Sequence, residues 1–359
     1  MPKICLLVGT RPNFVKITQF KKEISAYSNL ELTIVHSNQH YSDSVSSVFF
    51  DQFGLSIDRF LNPYKGNSAG QLGHIIFELS EELVKNPVDL MLVVGDVNTT
   101  LAGAIVANKL GIKLGHIESG LRSFDRSMPE EINRILVDEI CDLFFVTEPS
   151  GIKHLREEGK SNSSIHFVGN TMIDTLVAFE EEIRGSSLPF ERNDLDLITV
   201  TLHRPSNVDT KDGIEKIVQL LEQLCAQFQV VFPVHPRTET NFKNLGIYNH
   251  LKSIDNLILI EPLDYFRFQK LISISKTVVT DSGGIQEETT FLQIPCITLR
   301  ENTERPITTE IGTNILMDFE VDKIISAIHN PKKNTAIPEN WDGKATRRIV
   351  QIINSYFEK

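Results

Sequence analysis

Cysteine is scarce in this chain. Its 359 residues include four, Cys5, Cys141, Cys225 and Cys296. They lie far apart and show no C-x-x-C spacing, so a disulfide framework and a structural zinc site are poorly supported and a reducing cytoplasm fits. Long apolar runs are also lacking. No stretch approaches the ~18 residues of a membrane span. The run Ile4–Val8 is too short, and too soon followed by Gly9-Thr10-Arg11-Pro12, for a signal peptide, and it reads as a first strand. A basic excess is missing too: 36 Lys and Arg face 47 Asp and Glu, a formal net charge of -11. That balance argues against nucleic acid and anionic membranes as partners. It leaves room for a small anionic ligand met by a few local cations. There is no short repeat or low-complexity tract. No group of His, Cys and carboxylate has metal-ligand spacing, so no metal site is indicated. No G-x-S-x-G elbow surrounds Thr10 or Ser282, which argues against a serine hydrolase.

What is present is an ordinary globular composition, 41% hydrophobic and 23% charged. At ~150 residues per domain the length suggests two domains. Short apolar runs alternate with longer helical patterns. Strands are predicted at Ile4–Val8, Glu31–His36, Leu90–Val94, Lys113–Ile117, Leu143–Val146 and Ile165–Val168. Between them, Leu72, Ile76, Leu79 and Leu83 recur at helical spacing across Ser68–Lys85, with Ser68 and Gln71 forming a predicted capping box. The strands are mostly apolar, as a parallel sheet covered by helices on both faces requires. The rhythm breaks at Glu180–Asp196, a charged stretch with Gly185 and Pro189 that reads as a linker. It restarts with strands at Leu197–Leu202, Val230–Pro233, Leu257–Ile260, Thr277–Val279 and Cys296–Leu299, and a helix at Gly213–Phe228. The fold class is therefore α/β, with two Rossmann-like doubly wound parallel-sheet domains at 1–180 and 190–335. A C-terminal helix is expected within 341–359, near Ala345–Phe357, packing back on the first domain.

Ligands of open parallel sheets bind beyond the carboxyl ends of the strands. The residues found there are polar and ionisable in both halves, which points to a cleft between the domains. Asp281-Ser282-Gly283-Gly284 is the clearest phosphate signal: small residues at a strand-to-helix turn expose backbone N–H groups, and the helix N-terminus adds partial positive charge. Glu288, six residues beyond Ser282, is placed to accept ribose hydroxyls. Arg11, Lys16, Arg204 and Arg305 are the cations a diphosphate needs. Asp96, Glu118 and Glu130 are acid/base candidates. Asp96 doubles as a candidate helix cap, and Glu130 and Glu131 as complements to a helix dipole. His203 and His235 end two strands beside arginines, as general acids, phosphate ligands or core histidines.

Together these motifs resemble the non-hydrolysing branch of the UDP-N-acetylglucosamine 2-epimerases. The resemblance rests on Gly9-Thr10-Arg11-Pro12, Gln39-His40, Gly95-Asp96, Gly115 to Arg122, Pro129-Glu130-Glu131 with Asn133-Arg134, Gly169-Asn170, Thr201 to Arg204, Thr280 to Glu288 and Thr303-Glu304-Arg305-Pro306. It implies a fold like that of GT-B glycosyltransferases, a homodimer, and a UDP-sugar in the cleft, with no redox cofactor or metal. The implied reaction interconverts UDP-GlcNAc and UDP-ManNAc by eliminating UDP to a glycal and adding it back. Asp96, Glu118 and Glu130 match the family's catalytic carboxylates, and His203 its histidine near the diphosphate. Arg11, Lys16, Arg134, Arg204, His235, Ser282, Gly283, Gly284, Glu288 and Arg305 make up the implied UDP-sugar site.

Three positions depart from the commonest pattern: Asn13 replaces Glu, Gln39-His40-Tyr41 replaces the Gln-His-Arg of regulated bacterial enzymes, and Pro205-Ser206-Asn207 replaces Arg-Glu-Asn. Such forms resemble relatives acting on modified sugars, such as UDP-2,3-diacetamido-glucuronate and UDP-acetamido-6-deoxyhexoses. Two further functions compete with these. A hydrolysing epimerase usually carries Gly-Thr-Arg-Ala in place of Gly-Thr-Arg-Pro, and a GT-B glycosyltransferase does not need the three carboxylates.

Overall fold

A computed structural model describes residues 1–39 and 50–358; His40 and Tyr41 of the Gln-His-Tyr motif lie outside them. The chain divides into two compact units, 1–178 with 339–359, and 179–338.

The first unit holds a seven-stranded sheet of β1 (Lys3–Val8), β2 (Glu31–His36), β3 (Arg59–Phe60), β4 (Leu90–Val94), β5 (Lys113–Ile117), β6 (Leu143–Val146) and β7 (Ile165–Phe167). The order is β3-β2-β1-β4-β5-β6-β7 and the strand pairs are parallel. All five residues of β4 are buried, which fits a strand covered on both faces. The connections β3→β4, β4→β5 and β5→β6 run in one direction across the sheet, so right-handed crossovers put helices Ser68–Lys85, Asn98–Leu110 and Pro129–Ile140 on one face. Leu79, Leu83 and Ala104 of these helices share a core with Cys5, Leu7, Met91 and Val93 of the sheet. Helices Arg11–Ile17 and Phe20–Ile24 pack instead with Thr171–Ala178 and Ala345–Phe357. The terminal segment is anchored there by Asp174, whose carboxylate accepts from Ala345 N at 3.0 Å and Thr346 N at 2.6 Å. Trp341, fully buried, donates to Thr147 O at 3.0 Å.

The second unit holds β8 (Leu197–Thr201), β9 (Gln229–Pro233), β10 (Leu257–Ile260), β11 (Thr277–Thr280), β12 (Cys296–Leu299) and β13 (Asn314–Met317) in the parallel order β10-β9-β8-β11-β12-β13. Its main core joins Ile198, Val200, Val230 and Phe232 of the sheet to Ile217, Leu221 and Leu224 of helix Lys211–Cys225.

Several details differ from the sequence reading. β3 is only two residues long and β13 opens on a polar residue before Ile315, Leu316 and Met317, and the sequence reading contains neither. Helix Glu180–Gly185 occupies part of the stretch read as a linker. Helix Ser68–Lys85 has the predicted span, but its cap is Asn67, whose side chain accepts from Gly70 N at 2.8 Å. Ser68 cannot cap because it is already the first helical residue; its Oγ receives Asn98 Nδ2 at 2.9 Å.

Candidate active site

In each sheet the strand order reverses once, between β1 and β4 and between β8 and β11. These are the switch points where connections diverge to opposite faces and leave a crevice at the strand ends. The candidate residues of each unit gather at its own switch point.

In the first unit the floor is Gly95, just past β4. It adopts φ +68, and a Cβ there would lie 3.2 Å from Glu118 Oε2 and 3.5 Å from Lys16 Nζ. A side chain there would be strained by the conformation and crowded by the approaching charges. Glu118, just past β5, also has a left-handed backbone, φ +70. For a non-glycine this is an uncommon state that costs on the order of 1 kcal/mol or more, and it clusters at functional sites. Its carboxylate forms an ion pair with Lys16 in which both groups are buried. Lys16 projects from helix Arg11–Ile17, which opens with Arg11, itself exposed, and Pro12. Asn13 braces that turn: its Oδ1 accepts from Gly9 N at 3.1 Å and Thr10 N at 3.2 Å, and its Nδ2 donates to Val94 O at 3.1 Å. The amide satisfies donors and an acceptor together, which a carboxylate cannot do.

Asp96 is not a helix cap. The N-cap of Asn98–Leu110 is Val97, and Asp96 Oδ2 instead receives Arg134 through Nε at 3.0 Å and a terminal nitrogen at 2.8 Å. Asn133 holds the Asp96 carbonyl at 2.8 Å. Arg134 also donates to buried Glu131 at 2.5 Å, and Glu131 accepts from the N–H groups of Ser123 at 2.9 Å and Phe124 at 3.0 Å. Glu130, in the same first helical turn, is exposed. Gln39 accepts from Thr99 N at 2.9 Å, which fastens the start of its motif to the helix that follows Asp96.

In the second unit, Asp281 at the end of β11 is fully buried. It accepts from Arg204 N at 2.9 Å, Asn207 Nδ2 at 3.0 Å and His203 N at 3.0 Å. Its Oδ1 lies 2.9 Å from His203 Nδ1. Burial pushes this carboxyl up, but His203 and the donors from Asn207 and Arg204 outweigh it and hold it below its ordinary value. His203 therefore directs its opposite nitrogen, Nε2, away from Asp281, an arrangement that fixes both tautomer and orientation. His235 is exposed, its ring centroid 5.6 Å from that of His203. Its Nδ1 caps helix Pro236–Asn244 by accepting from Arg237 N at 3.2 Å.

Ser282 is the N-cap of Gly283–Leu292, and its hydroxyl makes no cap bond to that helix. Behind Gly283 stand Glu304, Arg305 and Arg300: a Cβ at Gly283 would lie 3.0 Å from Glu304 Oε1, 3.1 Å from an Arg305 nitrogen and 3.6 Å from Arg300. Arg305 pairs with Glu287 at 2.7 Å and with Glu304, and Arg300 with Glu304 at 3.1 Å. Arg300 is held below its ordinary value by burial, partly offset by Glu304, with Arg204 and Arg305 adding repulsion. Two guanidinium groups, Arg300 and Arg305, thus crowd a glycine turn at a helix N-terminus, the kind of arrangement that suits phosphate. Glu288 is buried on the same helix, bonded to Gln269 and Tyr265.

Sequence reasoning passed over Asp138, Arg300, Glu287 and the internal role of Glu131. The i,i+3 pair of Glu131 and Arg134 was a legible signal. Asp138 and Arg300 had none. Among the described residues, no cluster of His, Cys, Asp and Glu has the makings of a metal site. None of the described helices is long and apolar enough to cross a membrane.

The family model described as UDP-N-acetylglucosamine 2-epimerase matches residues 22–354. A UDP-N-acetylglucosamine 2-epimerase from Methanocaldococcus jannaschii is 38% identical, with 98% of each chain covered. A UDP-2,3-diacetamido-2,3-dideoxy-D-glucuronate 2-epimerase from Pseudomonas aeruginosa is 34% identical, covering 98% of this chain and 99% of the relative. Among solved structures, the M. jannaschii UDP-GlcNAc 2-epimerase in complex with UDP-GlcNAc and UDP superposes with a TM-score of 0.87 at 36% identity, covering 98% of this chain and 99% of that one.

Proposed function

The chain belongs to the UDP-N-acetylglucosamine 2-epimerase family, and on that premise we propose that it interconverts UDP-GlcNAc and UDP-ManNAc without releasing free sugar. The observation that carries this reading is the set of paired carboxylates around Gly95: Glu118 fixed by Lys16 and Asp96 fixed by Arg134. A glycosyltransferase has no need of two such groups at one strand-end crevice.

The chemistry follows from the substrate. C2–H has no adjacent ketone, so its proton is hard to remove alone. In the proposed step a carboxylate takes that proton, the C–H pair becomes the C1=C2 bond, and the C1–O pair leaves with UDP. Re-addition delivers a proton to the opposite face of C2 as the C1–O bond re-forms. Asp96, Glu118 and Glu130 are the proposed proton carriers. The negative charge on departing UDP is stabilised by preorganised donors: Ser282, the backbone of Gly283 and Gly284, Arg204, Arg305 and His203 Nε2, with His235, Arg11 and Lys16 completing the proposed set. Glu288 is the proposed ribose acceptor. A homodimer is part of the same reading.

A second reading, epimerisation of a 2,3-diacetamido uronate or an acetamido-6-deoxy sugar on UDP, is favoured by the P. aeruginosa relative and by Pro205 after Arg204. The test is incubation with each candidate UDP-sugar in deuterated water, followed by NMR. Solvent deuterium at C2 with product still on UDP is expected, and the substrate that exchanges fastest identifies the sugar. Glu118→Gln is expected to abolish exchange while UDP still binds. Stoichiometric free sugar means hydrolysis instead, and no exchange with any of these substrates overturns the epimerase reading.

A further inference from the structure

His116 is a fully buried titratable group that the proposed proton transfers do not use. It sits near the end of β5, two residues before Glu118. Both ring nitrogens face oxygen: Nδ1 lies 2.6 Å from Asp138 Oδ1, and Nε2 lies 2.8 Å from Gly95 O. A carbonyl only accepts, so Nε2 carries a proton. Asp138 is ionised: burial pushes its carboxyl up, but His116 and Arg122 more than offset this. Both ring nitrogens are therefore held by oxygen partners, one a carboxylate and one a peptide carbonyl. The second Asp138 oxygen accepts from Gly120 N at 3.0 Å and pairs with Arg122 at 2.7 Å. Arg122 in turn binds Glu158 at 2.7 Å.

The dyad ties three pieces of chain together. Gly95 opens the turn after β4, Gly120 lies in the turn after β5, and Asp138 belongs to helix Pro129–Ile140, which also supplies Asn133 and Arg134 to Asp96. Both tied glycines have positive φ, +68 and +79. Gly120 is packed so closely that a Cβ would lie 2.4 Å from Gly151 O. Asp96 immediately follows one tied peptide, and Glu118 lies two residues before the other.

We propose that His116, acting with Asp138, is a positioning residue for the epimerisation: it fixes the Gly95 and Gly120 peptides and so the aim of the Asp96 and Glu118 carboxylates, without touching the sugar. This inference rests on the epimerase reading above. Misplacement of a reacting group by 1 Å costs roughly 100-fold in rate, so a large effect on kcat is expected from a residue remote from substrate.

The experiment compares wild type with His116→Ala, His116→Gln and Asp138→Asn. It measures C2 deuterium exchange for kcat and KM, calorimetry for UDP, and thermal melting for fold. His116→Ala and Asp138→Asn are expected to lower kcat by ~10- to 100-fold with KM and UDP affinity within about twofold, because the phosphate-binding turn lies in the other unit. His116→Gln keeps one donor and is expected to recover part of the loss. Melting curves that fall while kcat per folded molecule stays at the wild-type value overturn the proposal. So do kcat and UDP affinity falling by the same factor. Should the Ala and Asn variants fail to fold, His116→Gln decides: a lowered kcat with UDP affinity kept is expected, and a wild-type kcat overturns the proposal. A wild-type enzyme without C2 exchange defeats the epimerase reading itself, a result separable from all of these.

Discussion

Glu288 joins the helix proposed to bind phosphate to the pH dependence of the fold. Burial pushes its carboxyl up to about 7, against hydrogen bonds from Gln269 and Tyr265 and with Glu287 adding repulsion; the unfolded chain titrates near 4.5. Below pH 4.5 both states hold the proton and Glu288 contributes nothing. Between these values the folded protein keeps a proton that the unfolded chain has lost, so stability falls as pH rises through the window, by a total of about 3 kcal/mol. Glu288→Gln is expected to flatten that slope in urea unfolding measured from pH 4 to 8. An unchanged slope would place the proton elsewhere. At this scale the sequence was readable where a residue follows a strand, as Asp96, Glu118, His203 and Ser282 do. It was unreadable for Glu130 against Glu131. The two are chemically equivalent neighbours, and only the ~100° rotation per helical residue turns Glu131 inward to Arg134 and leaves Glu130 exposed. Asp138 was hidden for another reason: its partner His116 is 22 residues away, and nothing local marks it.

Helix Ser68–Lys85 shows how an element's span can be legible while its terminus is not. The spacing of its apolar residues fixes the helix, but Asn67 and Ser68 are both good caps, and the choice depends on which one stays extended. Asn67 does, with ψ 166. Asn67→Ala is expected to cost about 1 kcal/mol, read from thermal or urea unfolding, and Ser68→Ala clearly less. Equal losses would contradict the observed cap. The missed strands have a related cause. β3 is two residues long, both exposed, so no apolar run announces it. β13 opens with Asn314, whose amide is buried because it bonds Thr298 at 2.7 Å and Gln286 at 3.1 Å. A polar residue satisfied inside a core looks in sequence like a loop residue.

For the whole molecule, the charge of -11 conceals a local arrangement in which Arg300 and Arg305 crowd one glycine turn and Glu287 and Glu304 hold the fork-shaped groups in place. The first unit also exposes apolar side chains on three neighbouring helices: Phe77 and Val84 at i and i+7, Leu110, and Leu136. The proposed homodimer accounts for them as a surface covered by a second copy. Phe77→Lys with Leu136→Lys is expected to shift sedimentation from dimer to monomer at micromolar concentration; a wild-type chain that sediments as a monomer refutes the arrangement. The two parallel sheets were legible from apolar runs and their spacing, because buried parallel strands leave a continuous signal. The return of Trp341 and helix Ala345–Phe357 to the first unit has a consequence in time. Unit 2 is one unbroken stretch, 179–338, whereas unit 1 is completed by 339–359. A ribosome moving at roughly 5–20 residues per second delivers the whole of the second unit before the first receives its last helix. During that interval, on the order of ten to thirty seconds, the newborn sheet waits with the docking surface of Trp341 uncovered, so the half made first is the half finished last.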